Sequence, residues 1–260
     1  MKELLPKRID NSNKGTYGTV LNVSGSEKYS GAGILSSLSA LKSGAGKVVL
    51  CSTDNVLNAT SVYPDIVLQK RKDMTYEGIS CIVMGCGLST SAKSIFKKVV
   101  KTKLPLLIDA DGLNMLSESA VLLPEHTILT PHPKEMSRLM KVSVDEVLNS
   151  PREILEKCVE KYQATVVLKM HKTMILDKFG SFYENTTGNS ALSKAGSGDV
   201  LAGMIGGLLA QGMSCFDASK LGVYLHGRCG ELASLDMSEY SVLASDLLNY
   251  IGKAFLELLS

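Results

Sequence analysis

Short apolar runs alternate with helical patterns across residues 19–176, and this alternation constrains the fold more than any other feature of the sequence. The runs are rich in Val, Ile and Leu, as expected of strands that are buried on both faces. The pattern predicts an α/β fold with a central, mostly parallel sheet and helices on both faces. Six strands are predicted here, at 19–23, 47–51, 81–84, 104–108, 127–129 and 165–169.

The pattern changes after the last of these strands. Two more short strands, at 173–176 and 181–183, flank a turn-like Asp-Lys-Phe-Gly segment and predict an antiparallel hairpin added to the sheet. Helices are predicted at 33–42, 91–101, 134–140 and 152–162, and from Gly198 to the end of the chain. The 260 residues contain no linker, repeat or low-complexity tract, so we expect one domain over residues 1–260.

Composition and charge argue against several classes of function. The 28 Lys and Arg residues and 26 Asp and Glu residues leave a net charge of +2, which is too small for a nucleic-acid-binding surface. The most apolar stretch, 200–210, has 11 residues, whereas a membrane-spanning helix needs about 20. The N-terminus lacks a secretory pattern, and the six cysteines lack the spacing of a zinc site. We therefore expect a cytoplasmic protein whose partners are small molecules, not nucleic acid or a membrane.

The sharpest local feature is a glycine-rich turn, AGSGD at 195–199, directly before a helical stripe. The first N–H groups of a helix lack partners within it, so the turn can bind a phosphate or a developing negative charge. Asp199 would lie beside this anion site, where a carboxylate can take a proton from a hydroxyl that attacks a bound phosphoryl group. The alternative is that Ser197 or Asp199 only caps the helix.

Other candidate residues follow predicted strands. Asp109 and Asp111 come after the strand at 104–108, and open α/β sheets bind ligands at this end of their strands. Such a pair can serve magnesium, or one acid can cap the next helix; we expect Asp109 near the site and Asp111 as the cap. His132 lies between two prolines and could be a ligand contact or a turn residue, and Glu135 could be a first-turn residue stabilised by the helix dipole.

Five segments, in this order, resemble the ADP- or ATP-dependent NAD(P)H-hydrate dehydratases of the ribokinase-like superfamily. The resemblance extends from about Lys14 to Asp246 and implies a ribokinase-like fold. The epimerase domain that often precedes this module in the family would need a couple of hundred more residues, so a stand-alone dehydratase is expected. The segments are 14–46, DADGL at 109–113, TPHPKE at 130–135, KMHKT at 169–173 and 188–203.

The resemblance implies repair of hydrated NADH and NADPH. ADP or ATP, with Mg²⁺, would phosphorylate the ring hydroxyl, and the loss of phosphate would restore the dihydropyridine ring. The protein's task would be positioning and charge stabilisation. A homo-oligomer, commonly a tetramer, is also implied.

The resemblance also assigns site residues. Asp199 is the base, and Gly196, Ser197 and Gly198 form the anion hole. Glu135 and Asp109 are candidates to hold magnesium, directly or through water. Contacts to the hydrated cofactor are expected from Ala32, Gly87, His132 and Asp199, and contacts to the nucleotide from Lys169, Met170, His171, Lys172, Thr173 and Gly198.

The chain departs from the family pattern in several positions, which affect substrate identity more than phosphoryl chemistry. Two other functions stay open: a small-molecule kinase of the same superfamily, of the vitamin-precursor type, and a non-catalytic nucleotide-binding regulator. The departures are Cys86, Ser89, Met170, Ser190, Ala191 and Lys194.

Overall fold

The computed structural model describes all residues, Met1–Ser260, and is built on one nine-stranded sheet. The strands are β1 (Thr19–Val23), β2 (Lys47–Ser52), β3 (Ile66–Lys70), β4 (Cys81–Met84), β5 (Leu106–Ile108), β6 (Thr127–Leu129), β7 (Thr165–Leu168), β8 (Met174–Leu176) and β9 (Phe182–Glu184). Their order across the sheet is β3-β2-β1-β4-β5-β6-β7-β8-β9. The first seven pair in parallel, whereas β8 and β9 form an antiparallel hairpin on β7.

Ten α-helices connect or follow the strands. They are α1 (Ser30–Lys42), α2 (Asp54–Thr60), α3 (Lys93–Val99), α4 (Asp111–Ser117), α5 (Pro133–Met140), α6 (Val144–Asn149), α7 (Pro151–Tyr162), α8 (Ser197–Ala210), α9 (Cys215–Met237) and α10 (Ala244–Leu259). Short 3₁₀ helices lie at Lys2–Leu4, Arg71–Asp73, Thr90–Ala92 and Ser190–Leu192. None of the helices combines the length and the apolar character that crossing a membrane requires.

The helices cover both faces of the sheet, because successive side chains of a strand point to opposite faces. On β1, Val20 packs into a core with α1, α8, α9 and α10, whereas Leu21 and Val23 pack into a second core with α3 to α7. Helices α1 and α8 approach closely, since a Cβ on Gly203 or Gly207 would collide with the backbone of α1. The Ser- and Ala-rich sequence of α1 therefore serves close packing.

The direction of strand connection reverses between β1 and β4, which are neighbours in the sheet. Such a switch point opens a crevice at the carboxyl ends of the strands. The loops that follow β1 and β4 are held together there, because the N–H of Gly25 donates to the carbonyl of Cys86 at 2.8 Å. The fold thus places these two loops at the edge of the sheet where a ligand can enter.

The α/β class, the mostly parallel sheet and the terminal hairpin agree with the sequence-based prediction. The prediction missed the short helices α2 and α6, and it missed β3 as a strand. This strand lies at the edge of the sheet, where Val67 and Leu68 are exposed, so it lacks the continuous burial that marked the others. The predicted strand at 104–108 begins later, at Leu106.

Candidate active site

The glycine-rich turn leads directly into α8, as the sequence predicted. Gly196 has a φ of +93°, and a Cβ there would lie 2.8 Å from Leu35 Cδ1, so glycine is required twice over. The first helical hydrogen bond runs from the N–H of Val200 to the carbonyl of Gly196. The N–H groups of Gly196, Gly198 and Asp199 have no acceptor within the chain. These three donors can bind an anion at the start of the helix.

Ser197 differs from the anion-hole prediction. Its N–H donates to the carbonyl of Lys194 at 3.2 Å, and its hydroxyl lies 3.1 Å from Nε2 of His226. Burial lowers the pKa of His226 to about 4, so the imidazole is neutral. Ser197 therefore fixes the turn against α9, while its neighbours carry the free donors.

Asp199 lies in the first turn of α8 and makes no capping hydrogen bond. Burial raises its pKa from 3.8 to about 7, and the nearby Asp109 carboxylate adds to the effect. A hydrogen bond with Cys86 and the charge of Lys169 oppose it. A carboxylate whose pKa lies near neutrality can act as a general base at physiological pH.

Asp109 and Lys169 form a buried ion pair beside Asp199. The Nζ of Lys169 lies 2.6 Å from Asp109 Oδ1, which also accepts a hydrogen bond from Thr130 Oγ1 at 2.7 Å. The same Nζ lies 3.8 Å from Glu135 Oε2. A Cβ built on Gly198 would be 3.6 Å from this Nζ, so the ammonium stands at the start of α8. Lys169 thus balances two carboxylates and faces the anion-binding turn.

His132 and Glu135 form a capping box at the start of α5. His132 Nδ1 accepts from the N–H of Lys134 at 3.1 Å, and Glu135 Oε2 accepts from the N–H of His132 at 2.8 Å. Burial lowers the pKa of His132 and raises that of Glu135. The turn role that the sequence left open for His132 is therefore present, and its ring also lines the cavity described below.

The residues around Asp109 fit a hydrated magnesium ion. Ligand atoms of Cys86, Asp109 and Asp199 all lie within 4.8 Å of one another. Burial holds the pKa of the Cys86 thiol well above its usual value, and a neutral thiol is a poor ligand for Mg²⁺, which prefers oxygen. The only hydrogen-bond partner of Asp109 Oδ2 is this thiol, whose Sγ lies 3.8 Å away, so Oδ2 is available to a metal ion. Both oxygens of Glu135 face His132, which leaves a water-mediated role for that residue.

Asp111 does not cap α4, in contrast to the prediction. The N-cap position is occupied by Ala110, which has a φ of +47° and gives no side-chain hydrogen bond. Asp111 is the first residue of the helix, and its Oδ2 accepts from the N–H of Ser89 at 2.8 Å. It therefore holds the loop after β4.

Ala32 and Gly87 meet at the switch point. Gly87 has a φ of +57°, and a Cβ on it would lie 2.8 Å from Ala32 Cβ and 2.7 Å from Tyr29 Cβ. Because Gly87 follows Cys86, this contact lies next to the Asp109 and Asp199 carboxylates. The structure thus brings two of the predicted substrate residues together beside the candidate base.

A cavity of about 700 Å³ opens at the N-terminus of α8, and neither Ala32 nor Gly87 lines it. Of the residues predicted to contact nucleotide, Lys172 does not line it; this side chain is exposed and lies 3.7 Å from Glu184. The predicted residues that do line it are Lys169, Met170, His171, Thr173 and Gly198.

Several other residues that line the cavity carried no role in the sequence-based prediction. Lys194 lines the cavity, and its Nζ donates to the carbonyl of Tyr240. Residues of α9 reach the cavity from one face of a long helix, which carries no local motif. The additional residues are Asn185, Thr187, Gly188, Asn189, Ser190, Leu192, Ser193, Leu201, Val223, His226 and Gly227.

With this geometry in view, comparisons with known proteins decide the family. The family model described as NAD(P)H-hydrate dehydratase matches residues 20–253. The chain belongs to the NAD(P)H-hydrate dehydratase family. The resemblance inferred from the five segments is therefore confirmed.

Individual relatives agree with this membership. An ADP-dependent (S)-NAD(P)H-hydrate dehydratase of Neisseria meningitidis is 36% identical over 253 residues, with 93% of this chain and 84% of that protein covered. The crystal structure of the ADP/ATP-dependent NAD(P)H-hydrate dehydratase from Bacillus subtilis, co-crystallised with ATP and Mg²⁺, superposes with a TM-score of 0.92 at 33% identity, with 99% and 95% covered.

Two further matches concern the fold and the length of the chain relative to other family members. A ribokinase-like superfamily protein from Enterococcus faecalis has a TM-score of 0.88 at 26% identity and covers 99% of this chain and 95% of that one, which confirms the ribokinase-like fold. A bifunctional NAD(P)H-hydrate repair enzyme of Coxiella burnetii is 36% identical over 256 residues and matches 95% of this chain. The chain spans about half of that relative's length, 52%.

Proposed function

We propose that this protein converts hydrated NADH and NADPH back to NADH and NADPH, with ADP or ATP as the phosphoryl donor. The observation that carries the proposal is the position of Asp199. This carboxylate has a pKa of about 7 and lies at the free N–H groups of α8, directly after the cavity-lining Gly198 and within 4.8 Å of the thiol of Cys86, the residue before Gly87. Family membership supports the same reaction.

In the proposed reaction Asp199 takes the proton of the ring hydroxyl. The hydroxyl oxygen then forms a bond to the terminal phosphorus of the nucleotide, and the bond from phosphorus to the bridging oxygen breaks. The ring nitrogen lone pair expels the phosphate, and a proton leaves the neighbouring carbon to restore the dihydropyridine. The N–H groups of Gly196, Gly198 and Asp199 are suited to stabilise the negative charge of the transferred phosphoryl group.

We assign the 700 Å³ cavity to the nucleotide and the Ala32–Gly87 contact to the hydrated cofactor. Lys169, which lies beside Gly198, would place its positive charge near the phosphates. His132 lines the cavity and stands close to Lys169, and we propose that it contacts the hydrated cofactor where this ligand meets the nucleotide. Asp109 would hold Mg²⁺, and Glu135 could contribute through a bound water. The ion would neutralise negative charge on the phosphates.

The test is to supply purified protein with chemically hydrated NADH, Mg²⁺ and either ADP or ATP. Recovery of the near-ultraviolet absorbance of NADH that depends on nucleotide would support the proposal, and the better nucleotide would identify the donor. The Asp199→Asn variant should lose turnover and keep nucleotide binding. Phosphorylation of another hydroxylated acceptor without recovery would favour a kinase. Nucleotide binding without any turnover would favour a regulator.

We also propose that the protein forms a homo-oligomer, such as a tetramer, in the cytoplasm. Edge strand β3 exposes Val67 and Leu68, and an unprotected edge favours pairing with another chain. All six cysteines are free and five are buried, which suits a reducing compartment. Light scattering on the purified protein would give its mass, and fractionation of cells would test the compartment.

A further inference from the structure

Arg71 is a half-buried arginine at the carboxyl ends of the strands, which is also the end of the sheet where the candidate active site lies. It begins the 3₁₀ helix that follows β3. Burial lowers the pKa of its guanidinium, and no carboxylate of the chain forms an ion pair with it. A partly desolvated cation without a counter-charge is unfavourable unless a ligand supplies that charge.

The hydrogen bonds of Arg71 use only part of its donor capacity. Nη2 donates to the carbonyls of Gly25 and Leu88, the second at 3.5 Å. Nε is buried and has no acceptor, and Nη1 donates to no group of the protein. An arginine has five N–H donors in a planar fork that suits phosphate oxygens. The guanidinium is therefore anchored on one side and has donors to spare on the other.

Buried hydroxyl groups without partners lie at the ends of the neighbouring strands. Ser24 and Ser26 follow β1, and Thr53 follows β2; none of the three hydroxyls has a hydrogen-bond partner. Ser52 ties the two strand ends together by donating to the carbonyl of Ser24 at 2.6 Å. The carbonyl that accepts from Arg71 belongs to Gly25, between Ser24 and Ser26, so polar groups without partners lie close to the guanidinium.

The position of Arg71 separates it from the nucleotide cavity. The carbonyl of Leu88 that it contacts belongs to the residue after Gly87, and Gly87 packs against Ala32. The nucleotide cavity is instead lined by residues that follow β6 and β7 and by residues of α8 and α9, in the other half of the sheet. A ligand group that reaches Arg71 would therefore extend from the Gly87 side.

We propose that Arg71 binds a phosphate group of the hydrated dinucleotide. This inference rests on the proposed function, because it requires that the hydrated cofactor occupies the Ala32–Gly87 side. The dinucleotide offers a pyrophosphate in both cofactor forms and a further 2′-phosphate in the NADP form. Either source would supply the counter-charge that the guanidinium lacks in the chain.

The experiment compares Arg71→Met with Lys72→Met, which removes a positive charge from the exposed neighbour in the same turn. We expect Arg71→Met to raise the KM for hydrated NADH by about tenfold or more, equivalent to ~1.4 kcal/mol, with the KM for nucleotide changed less than about twofold. Lys72→Met should leave both unchanged. Arg71→Lys keeps a charge and should recover part of the loss. An equal loss with hydrated NADH and hydrated NADPH would indicate the pyrophosphate, and a larger loss with hydrated NADPH the 2′-phosphate.

Ionic strength gives a readout that a purely structural role would not move. The KM of the parent protein for hydrated cofactor should rise with salt, because salt screens an ionic contact, and this dependence should be weaker in Arg71→Met. A parent KM that does not respond to salt, or a folded Arg71→Met with an unchanged KM, would overturn the inference. If the parent shows no nucleotide-dependent turnover at all, the proposed function has failed instead.

Discussion

Replacing Asp199 by Asn should stabilise the protein above neutral pH while it abolishes turnover. The pKa of Asp199 is raised from 3.8 to about 7, first by burial and then by the Asp109 carboxylate. At about 1.4 kcal/mol for each tenfold change in proton affinity, an ionised Asp199 costs the folded state about 4 kcal/mol. Asparagine has nearly the same size and no charge, so it removes this cost. Because the side chain keeps part of its contact with solvent, we expect a measured gain of about 2–4 kcal/mol.

The sign of the pH dependence follows from a raised pKa. The folded protein keeps a proton on Asp199 that the unfolded chain loses at lower pH. The contribution of this carboxyl to stability is therefore fully present below pH 3.8 and is lost as the pH rises to about 7. The difference between Asp199→Asn and the parent should be largest above pH 7 and fall below about 1 kcal/mol near pH 4.

Urea unfolding at pH 8, 6 and 4, followed by circular dichroism, measures this difference. The matched control is Asp65→Asn, which changes an exposed loop carboxylate and should shift stability by less than about 0.5 kcal/mol. Equal stability of Asp199→Asn and the parent at pH 8 would refute the reasoning. So would a gain of the same size at pH 4, because it could not come from the charge of Asp199.

Three further variants test the other contacts of the site. His132→Ala should raise the KM for hydrated NADH more than the KM for nucleotide, and it should lower the free energy of unfolding in urea by about 1 kcal/mol, because α5 loses its cap. The control His132→Asn should keep the stability of the parent. If His132→Ala leaves both KM values unaltered, His132 does not belong to the substrate site. Lys169→Met should weaken nucleotide binding in calorimetry and destabilise the fold by about 3–5 kcal/mol, because Asp109 and Glu135 are left as buried, unpaired carboxylates; a variant as stable as the parent would contradict this. Gly87→Ala should raise the KM for hydrated NADH while nucleotide binding is kept, because its φ of +57° and its close neighbours exclude a side chain; an unchanged KM would show that the loop does not contact substrate.

The sequence by itself determined most of the secondary structure and the fold class. The buried strands and the long helices have periodic apolar patterns, and such patterns depend only on neighbours along the chain. The glycine-rich turn before α8 was also visible, because a left-handed residue followed by a helix start is a local signal. The presence of five segments that resemble the family, in the order found there, then indicated the family.

Only the tertiary structure decided how these pieces combine into a site. The ion pair between Lys169 and Asp109 joins residues 60 positions apart, and it forms because β5, β6 and β7 are neighbours in the sheet. The side chain of Arg71 reaches the Gly87 loop although β2 and β1 lie between β3 and β4 in the sheet, and no spacing in the sequence suggests this contact. The raised pKa of Asp199 needs burial and a nearby second carboxylate, and both arise only when distant segments pack together. Local patterns fix elements, whereas charge, burial and cavities depend on contacts between elements.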